Sequence, residues 1–157
     1  MLNIENKICI FIENNEMQTI QMIQEFNAPQ KEIFDYLSDH NNLGTLLNAN
    51  VTRIKDAAGK NPNGLGSVRS IKAGVELLQE TVVTFNEPDL IEYKISNNVP
   101  VKYHLGTLEF STPAKGKTLL NYTIQLETKF GFADPVILFF IKTSIKNGLK
   151  KLAAKYK

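Results

Sequence analysis

The sequence predicts an α+β fold in which a curved, seven-stranded antiparallel sheet wraps around one long C-terminal helix. From Val51 onward, apolar and polar residues alternate with a period of two for about eighty residues. Residues 134–157 instead keep apolar side chains at helical spacing, with no proline after Pro135. Two short helical segments follow the first strand. A sheet with one apolar face must be covered, and only the C-terminal helix is long enough to cover it.

The bulk composition is that of a single globular domain spanning residues 1–157. The chain has 157 residues, of which 43% are hydrophobic and 22% charged. A net charge of +2 is too small to indicate a nucleic-acid partner. Cys9 is the only cysteine, so no intramolecular disulfide can form. The apolar run 8–12 is too short for a signal peptide or a membrane span, and we expect a cytoplasmic protein.

The N-terminal part of the sequence predicts a strand followed by two short helices. Residues 7–26 alternate around a polar break at 13–16, which fits either a hairpin or one long bent strand. Asn27 can then cap a helix whose first turn tolerates Pro29. Apolar residues recur at helical spacing up to Leu37, and a second short helix is predicted over residues 43–47.

Turn signals divide the alternating region into six strands joined as a meander. They lie at residues 59–66, 73–74, 86–89, 97–100 and 113–116. Such short connections imply antiparallel neighbours. A two-residue turn at 73–74 and the hairpin after it predict these cross-strand neighbours: Ile71 with Glu76, Arg69 with Leu78, Phe85 with Leu90, and Val82 with Tyr93.

The same register predicts which side chains face the interior. They are Arg69, Ile71, Leu78, Glu80, Val82, Ile91, Tyr93 and Ile95. Arg69, Glu80 and Tyr93 are therefore polar residues on an apolar surface, and a buried charge is costly unless it is paired. One interpretation is an Arg69–Glu80 ion pair that only stabilises the sheet. The other is a polar group that orients a ligand, and a paired arginine can do both.

The last hairpin is predicted to present a second set of inward side chains. The set is His104, Gly106, Leu108 and Phe110 on one strand, together with Leu120, Tyr122, Ile124 and Leu126 on the next. A slip of one residue in this register would turn His104 outward, and a lone histidine is more often structural than catalytic.

Two further segments each allow a purely structural and a functional interpretation. The loop 57–66 is either a surface connector or, with residues 97–100, a gate to a cavity. The C-terminal helix has no acidic residue after Asp134, and Lys142, Lys146 and Lys150 follow one stripe. That stripe is either a solvated face or a surface for transient contact with anionic lipid. The apolar side of this helix is predicted to hold Ile137, Phe140, Ile141, Ile145, Gly148, Leu149 and Leu152.

Several short motifs resemble the helix-grip superfamily, which includes START lipid-transfer domains and birch-pollen-allergen proteins. The polyketide cyclase/dehydrase-like branch is the most similar. The motifs are Asn27-Ala28-Pro29 with Ile33-Phe34 and Leu37-Ser38-Asp39, Gly64-Leu65-Gly66-Ser67-Val68-Arg69, Glu80 with Pro88 and Ile91-Glu92-Tyr93, His104-Leu105-Gly106-Thr107-Leu108-Glu109-Phe110, and Gly116-Lys117-Thr118.

The resemblance covers residues 17–157 and implies a cavity between the sheet and the last helix. Members bind lipids, sterols, hormones or polyketides there, and some are enzymes. Many carry a tryptophan near the cavity after the first helix. This chain has no tryptophan and places Leu46 and Leu47 in that region.

We therefore expect a protein that binds or carries a small hydrophobic molecule. Its polar contacts would be Arg69, Glu80, Tyr93 and Tyr122, and its apolar wall Ile71, Leu78, Val82, Leu108, Phe140, Ile141 and Ile145. The alternative is a polyketide cyclase or dehydratase that uses Glu80, Tyr93 or His104 as acid or base. A third hypothesis is an interaction module with a filled interior. The sequence has no metal-binding or nucleotide-binding motif, so no metal or cofactor is expected.

Overall fold

The computed structural model describes residues 17–73 and 76–157. Residues 7–16, the first half of the predicted N-terminal hairpin or bent strand, lie outside them. The elements follow the predicted order. They are β1 (Gln18–Phe26), α1 (Gln30–Ser38), α2 (His40–Leu47), β2 (Asn50–Lys55), β3 (Val68–Ala73), β4 (Glu76–Asn86), β5 (Leu90–Ile95), β6 (Val101–Ser111), β7 (Thr118–Thr128) and α3 (Asp134–Ala154), with a 3₁₀ turn, Gly131–Ala133, before α3.

All seven strands form one antiparallel sheet in the order β1-β7-β6-β5-β4-β3-β2. Strands β2 to β7 are a simple meander, and β1 joins it by pairing with β7. Helix α3 packs against β1 and α2, so it closes the concave side of the sheet. The predicted helix-grip architecture is confirmed.

The starts of the two short helices differ from the prediction. Asn27 does not cap α1, because Pro29 occupies the N-cap position and no side chain caps it. Helix α2 begins at His40, three residues earlier than predicted. The reason is Asp39, whose carboxylate accepts a hydrogen bond from the Asn41 N–H at 2.9 Å and so caps the helix.

Helix α3 is tied to the end of the sheet through its first residue. Ala133 holds the N-cap position, so Asp134 is the first residue of the helix. The buried Asp134 carboxylate accepts hydrogen bonds from the Thr128 N–H at 3.0 Å and from the Thr128 hydroxyl. No helix in the described part of the chain is long and apolar enough to cross a membrane.

The β3–β4 hairpin has a different register from the predicted one. Ala73 pairs with Glu76, so Ile71 lies opposite Leu78 and Arg69 opposite Glu80. The predicted register was therefore wrong by two residues, and Gly74 of the predicted turn lies outside the described residues. Because the shift is an even number, Arg69, Ile71, Leu78 and Glu80 keep their predicted face.

The β4–β5 hairpin is close to its predicted register. Val82 pairs with Tyr93 as expected, but Phe85 lies opposite Ile91 rather than Leu90, because a bulge intervenes between Val82 and Thr84. In the last hairpin the two predicted inward sets lie opposite each other, and His104 faces inward as predicted. The observed pairs are His104–Leu126, Gly106–Ile124, Leu108–Tyr122 and Phe110–Leu120.

The interior has a filled end and an open end. At the filled end, α1 buries Ile33 and Phe34 against Phe26, Phe110 and Leu120. The Phe34 ring makes an edge contact with the Phe110 ring at a centroid distance of 5.2 Å. Toward the other end, α3 separates from the sheet and leaves a cavity.

Candidate ligand-binding site

A cavity of about 770 Å³ lies between the concave face of the sheet and α3. Its volume falls in the range of small-molecule sites, roughly 300–1,000 Å³. The wall is mostly aliphatic and aromatic, and its polar side chains come mainly from the middle of the sheet. The hypothesis of a filled interior is therefore not supported.

Nine of the eleven residues predicted to contact a ligand line this cavity. They are Arg69, Ile71, Leu78, Glu80, Tyr93, Tyr122, Phe140, Ile141 and Ile145. Val82 and Leu108 do not. They line a small space of about 10 Å³ beside the cavity, within the packed core. The third acid–base candidate, His104, also faces the cavity.

Arg69 and Glu80 form a buried ion pair across β3 and β4. Glu80 Oε2 accepts from Arg69 Nε at 2.7 Å and from Nη2 at 2.6 Å. The guanidinium carbon also lies 4.3 Å from the centroid of the Tyr93 ring. Burial lowers the pKa of Arg69, but the interactions with Glu80, Tyr93 and Tyr122 together raise it by more, so the net shift is upward. An arginine in an ion pair with a carboxylate forms a unit with no net charge.

Tyr93 and Tyr122 share a hydrogen bond between their hydroxyl groups. The two residues lie on β5 and β7, with β6 between them. Gly106 of β6 makes the contact possible. A Cβ atom at that position would lie 2.1 Å from Tyr93 Cζ, so only glycine lets the ring pass.

Burial makes both tyrosines poor acids. It raises the pKa of Tyr93 well above its usual value and the pKa of Tyr122 to about 12. At neutral pH the pair is uncharged and can donate one hydrogen bond to a ligand.

His104 is held in one tautomer by the backbone of β5. Its Nδ1 accepts a hydrogen bond from the Ile95 N–H at 3.2 Å. Burial lowers its pKa, so the ring is neutral at pH 7. A neutral imidazole whose Nδ1 is an acceptor carries its proton on Nε2. His104 can therefore offer a hydrogen-bond donor.

Sequence reasoning missed a second buried histidine. His40, at the start of α2, lines the small space together with Asn63 and Arg69. Burial first, and then the charges of Arg69 and Arg53, lower its pKa to about 3. Its main-chain N–H donates to Asn63 Oδ1 at 3.3 Å, whereas its Nδ1 has no hydrogen-bond partner among the described residues. No spacing in the sequence indicated that this histidine would be buried.

The open end of the cavity is bordered by the β5–β6 turn. Asn98, Val99 and Pro100 line it, in agreement with the predicted position of that turn. None of the loop residues 57–66, all of which are described, lines the large cavity, so the proposed gating role of that loop gains no support. Asn63 instead anchors the loop, because its Oδ1 accepts from Arg53 Nη1 at 2.8 Å.

The described residues contain no cluster of three or more His, Cys, Asp or Glu side chains that could hold a metal ion.

Solved structures of low sequence identity share this fold. Norcoclaurine synthase from Thalictrum flavum, in complex with dopamine and hydroxybenzaldehyde, has a TM-score of 0.67 and 16% identity, covering 90% of this chain and 89% of that chain. A protein from Nitrosospira multiformis has a TM-score of 0.66 and 13% identity, covering 89% and 97%. Protein XoxI from Bacillus cereus has a TM-score of 0.63 and 13% identity, covering 87% and 95%. Identities this low show a shared fold and nothing about ligands.

The sequence itself is assigned by a family match. No curated protein matches the chain. Residues 17–157 match the family described as polyketide cyclase / dehydrase and lipid transport. The match includes every described strand and helix and the whole cavity wall. This chain therefore belongs to the polyketide cyclase/dehydrase and lipid transport family.

Proposed function

We propose that this protein binds or carries a small hydrophobic molecule, of the lipid, sterol or polyketide-like class, in the cavity between the sheet and α3. The observation that carries the proposal is the cavity of about 770 Å³, with its apolar wall and one cluster of polar groups. An apolar cavity with a few convergent polar side chains is typical of ligand sites. Family membership favours a ligand-binding role of this kind.

The polar cluster favours a ligand whose own polar group is uncharged. The Arg69–Glu80 pair has no net charge, and both tyrosines and His104 are neutral at pH 7. A ligand carboxylate would have to compete with Glu80 for the guanidinium. A hydroxyl or carbonyl group can instead accept from the tyrosine pair or from His104 Nε2 without disturbing the ion pair.

The same chemistry favours binding over acid–base catalysis by the three candidate residues. Glu80 is engaged by Arg69, and Tyr93 has a raised pKa. His104 has its acceptor nitrogen bonded to the backbone of Ile95. Each group can orient a ligand, whereas none of them is a free base in this arrangement.

Native mass spectrometry of the freshly purified protein, repeated after denaturing extraction, tests the proposal. We expect a bound molecule that is released on unfolding. Leu78→Trp should reduce its occupancy, because the indole fills part of the cavity. The matched control is Val83→Trp on the outer side of the same strand, which should retain it. A wild-type protein that carries no such molecule and takes up no hydrophobic dye would contradict the proposal.

A further inference from the structure

Large apolar side chains are exposed around the start of α3. Phe132 is 88% exposed, Phe140 66%, Phe139 64%, Val136 58% and Phe130 57%. We call these five residues the aromatic rim. The rings of Phe139 and Phe140 pack on each other with centroids 5.8 Å apart, and the other three residues lie within ten positions of them in the chain. Exposed apolar patches of this kind mark interaction sites.

The aromatic rim borders the mouth of the cavity. Phe130 and Phe140 belong to the rim and also line the cavity. Whatever covers the rim therefore also faces the opening between α3 and the β5–β6 turn. A ligand that leaves through this opening would pass directly into whatever covers the rim.

Lysines adjoin the rim in the chain, and α3 carries no acidic residue after its first position. Val136, Phe139, Thr143, Lys146 and Lys150 follow one another at spacings of three and four, so they share one exposed stripe of α3. That stripe is apolar at the cavity mouth and basic beyond it. Lys129 and Lys142 are exposed next to the rim, and no acidic residue follows the buried Asp134.

We propose that the aromatic rim, with Lys129, Lys142 and Lys146, docks this protein on an anionic lipid bilayer with the cavity mouth facing the surface. Apolar side chains enter the interface while the lysines meet lipid phosphates. A symmetric dimer through the same face would bring the lysines of two copies together, which is unfavourable. The docking does not rest on the proposed function, although its use for ligand exchange does.

Vesicle co-sedimentation at low salt tests the apolar half of the surface. We expect binding to vesicles of phosphatidylcholine and phosphatidylglycerol in equal parts, and weak binding to pure phosphatidylcholine. Phe132→Ser with Phe139→Ser should lower the partition coefficient roughly tenfold or more, since each ring leaves the interface. Ile23→Ser is the matched control, because Ile23 is 66% exposed but lies on β1, outside the rim.

Lysine substitutions test the basic half. Lys142→Gln with Lys146→Gln should weaken binding by about fivefold for each lysine, and added salt should weaken wild-type binding as well. The control is Lys115→Gln. Lys115 is exposed in the β6–β7 turn, at the opposite end of the long strands from the mouth.

Two outcomes would overturn the docking proposal. One is that the wild-type protein does not bind phosphatidylglycerol vesicles, or that the double phenylalanine variant binds them as well as the wild type does. The other is that the wild-type protein sediments as a dimer, the double phenylalanine variant sediments as a monomer, and neither binds vesicles. Native mass spectrometry reads the ligand separately, so loss of docking and loss of ligand binding are distinguishable.

Discussion

At the scale of single residues, Gly106 decides where Tyr93 can lie. We expect Gly106→Ala to raise the energy of the folded state, because the added Cβ would lie 2.1 Å from Tyr93 Cζ. The cost should be about 1–3 kcal/mol, as in other overpacked cores. The free energy of unfolding in urea measures it. Strand propensity alone would predict the opposite sign, since alanine is less flexible than glycine.

Two further variants separate this clash from a general effect of alanine. Gly59→Ala should change the unfolding free energy little, because nothing lies within 4 Å of a Cβ at Gly59. In a Tyr93→Ala background, Gly106→Ala should lose most of its cost. An equal cost in both backgrounds would show that the ring of Tyr93 is not the obstacle.

His40 should make stability depend on pH in the acid range. Its folded-state pKa is lowered from 6.5 to about 3, so between these values the unfolded chain binds a proton that the folded chain does not. Stability is therefore present above pH 6.5 and is lost as pH falls, with a slope of about 1.4 kcal/mol per pH unit. Urea unfolding of wild type and His40→Gln at several pH values measures the difference.

The comparison with His40→Gln is needed because His104 also has a lowered pKa and contributes with the same sign. The variant retains His104 and all carboxylates, so the difference between the two curves isolates His40. Parallel curves below pH 6.5 would show that His40 is protonated as readily in the folded as in the unfolded chain.

At the scale of elements, Gly148 sets the contact between α3 and α2. A Cβ at Gly148 would lie 2.1 Å from the main-chain oxygen of Leu46, which cannot turn aside as a side chain could. Glycine to alanine within a helix usually stabilises it by about 1 kcal/mol. We expect Gly148→Ala to lower the melting temperature instead. Asn147→Ala, at the exposed neighbouring position, should not lower it.

The outcome also tests how the two helices share the interior. A Gly148→Ala variant as stable as wild type would mean that α3 can shift away from α2 without loss. The cavity would then have to change with it, because Ser144 and Ile145 of α3 line the same space as Leu43 and Leu47 of α2.

At the scale of the whole molecule, the filled and open ends should differ in local stability. Ile33, Phe34 and Leu120 are fully buried at the filled end, whereas the first turns of α3 stand beside the cavity. Amide hydrogen exchange should therefore be slowest in α1 and in β7 near Leu120. It should be faster in residues 136–141, and a bound ligand should slow it there.

Uniform protection along α3 in the ligand-free protein would contradict this expectation. The comparison of α3 with β7 is internal to one sample, so differences in overall stability do not affect it.

Local patterns in the sequence were enough for the order and type of the described elements and for the inner face of the sheet. Alternation and turn residues are properties of neighbouring positions, and the face of a strand survives an error of two residues in register. Hence Arg69, Glu80, Tyr93 and His104 were all placed on the inner face, although Leu78 was wrongly expected to lie directly opposite Arg69.

The exposure of α3 side chains and the size of the cavity depend on the distance between α3 and the sheet, and only the tertiary structure sets that distance. The periodicity placed Phe140 on the cavity wall, but α3 stands far enough from the sheet to leave it 66% exposed at the mouth. The same packing puts Val82 and Leu108 in the core and leaves the cavity of about 770 Å³ between sheet and helix. Side-chain volumes and helix contacts far apart in the chain set these distances, and no short pattern encodes them.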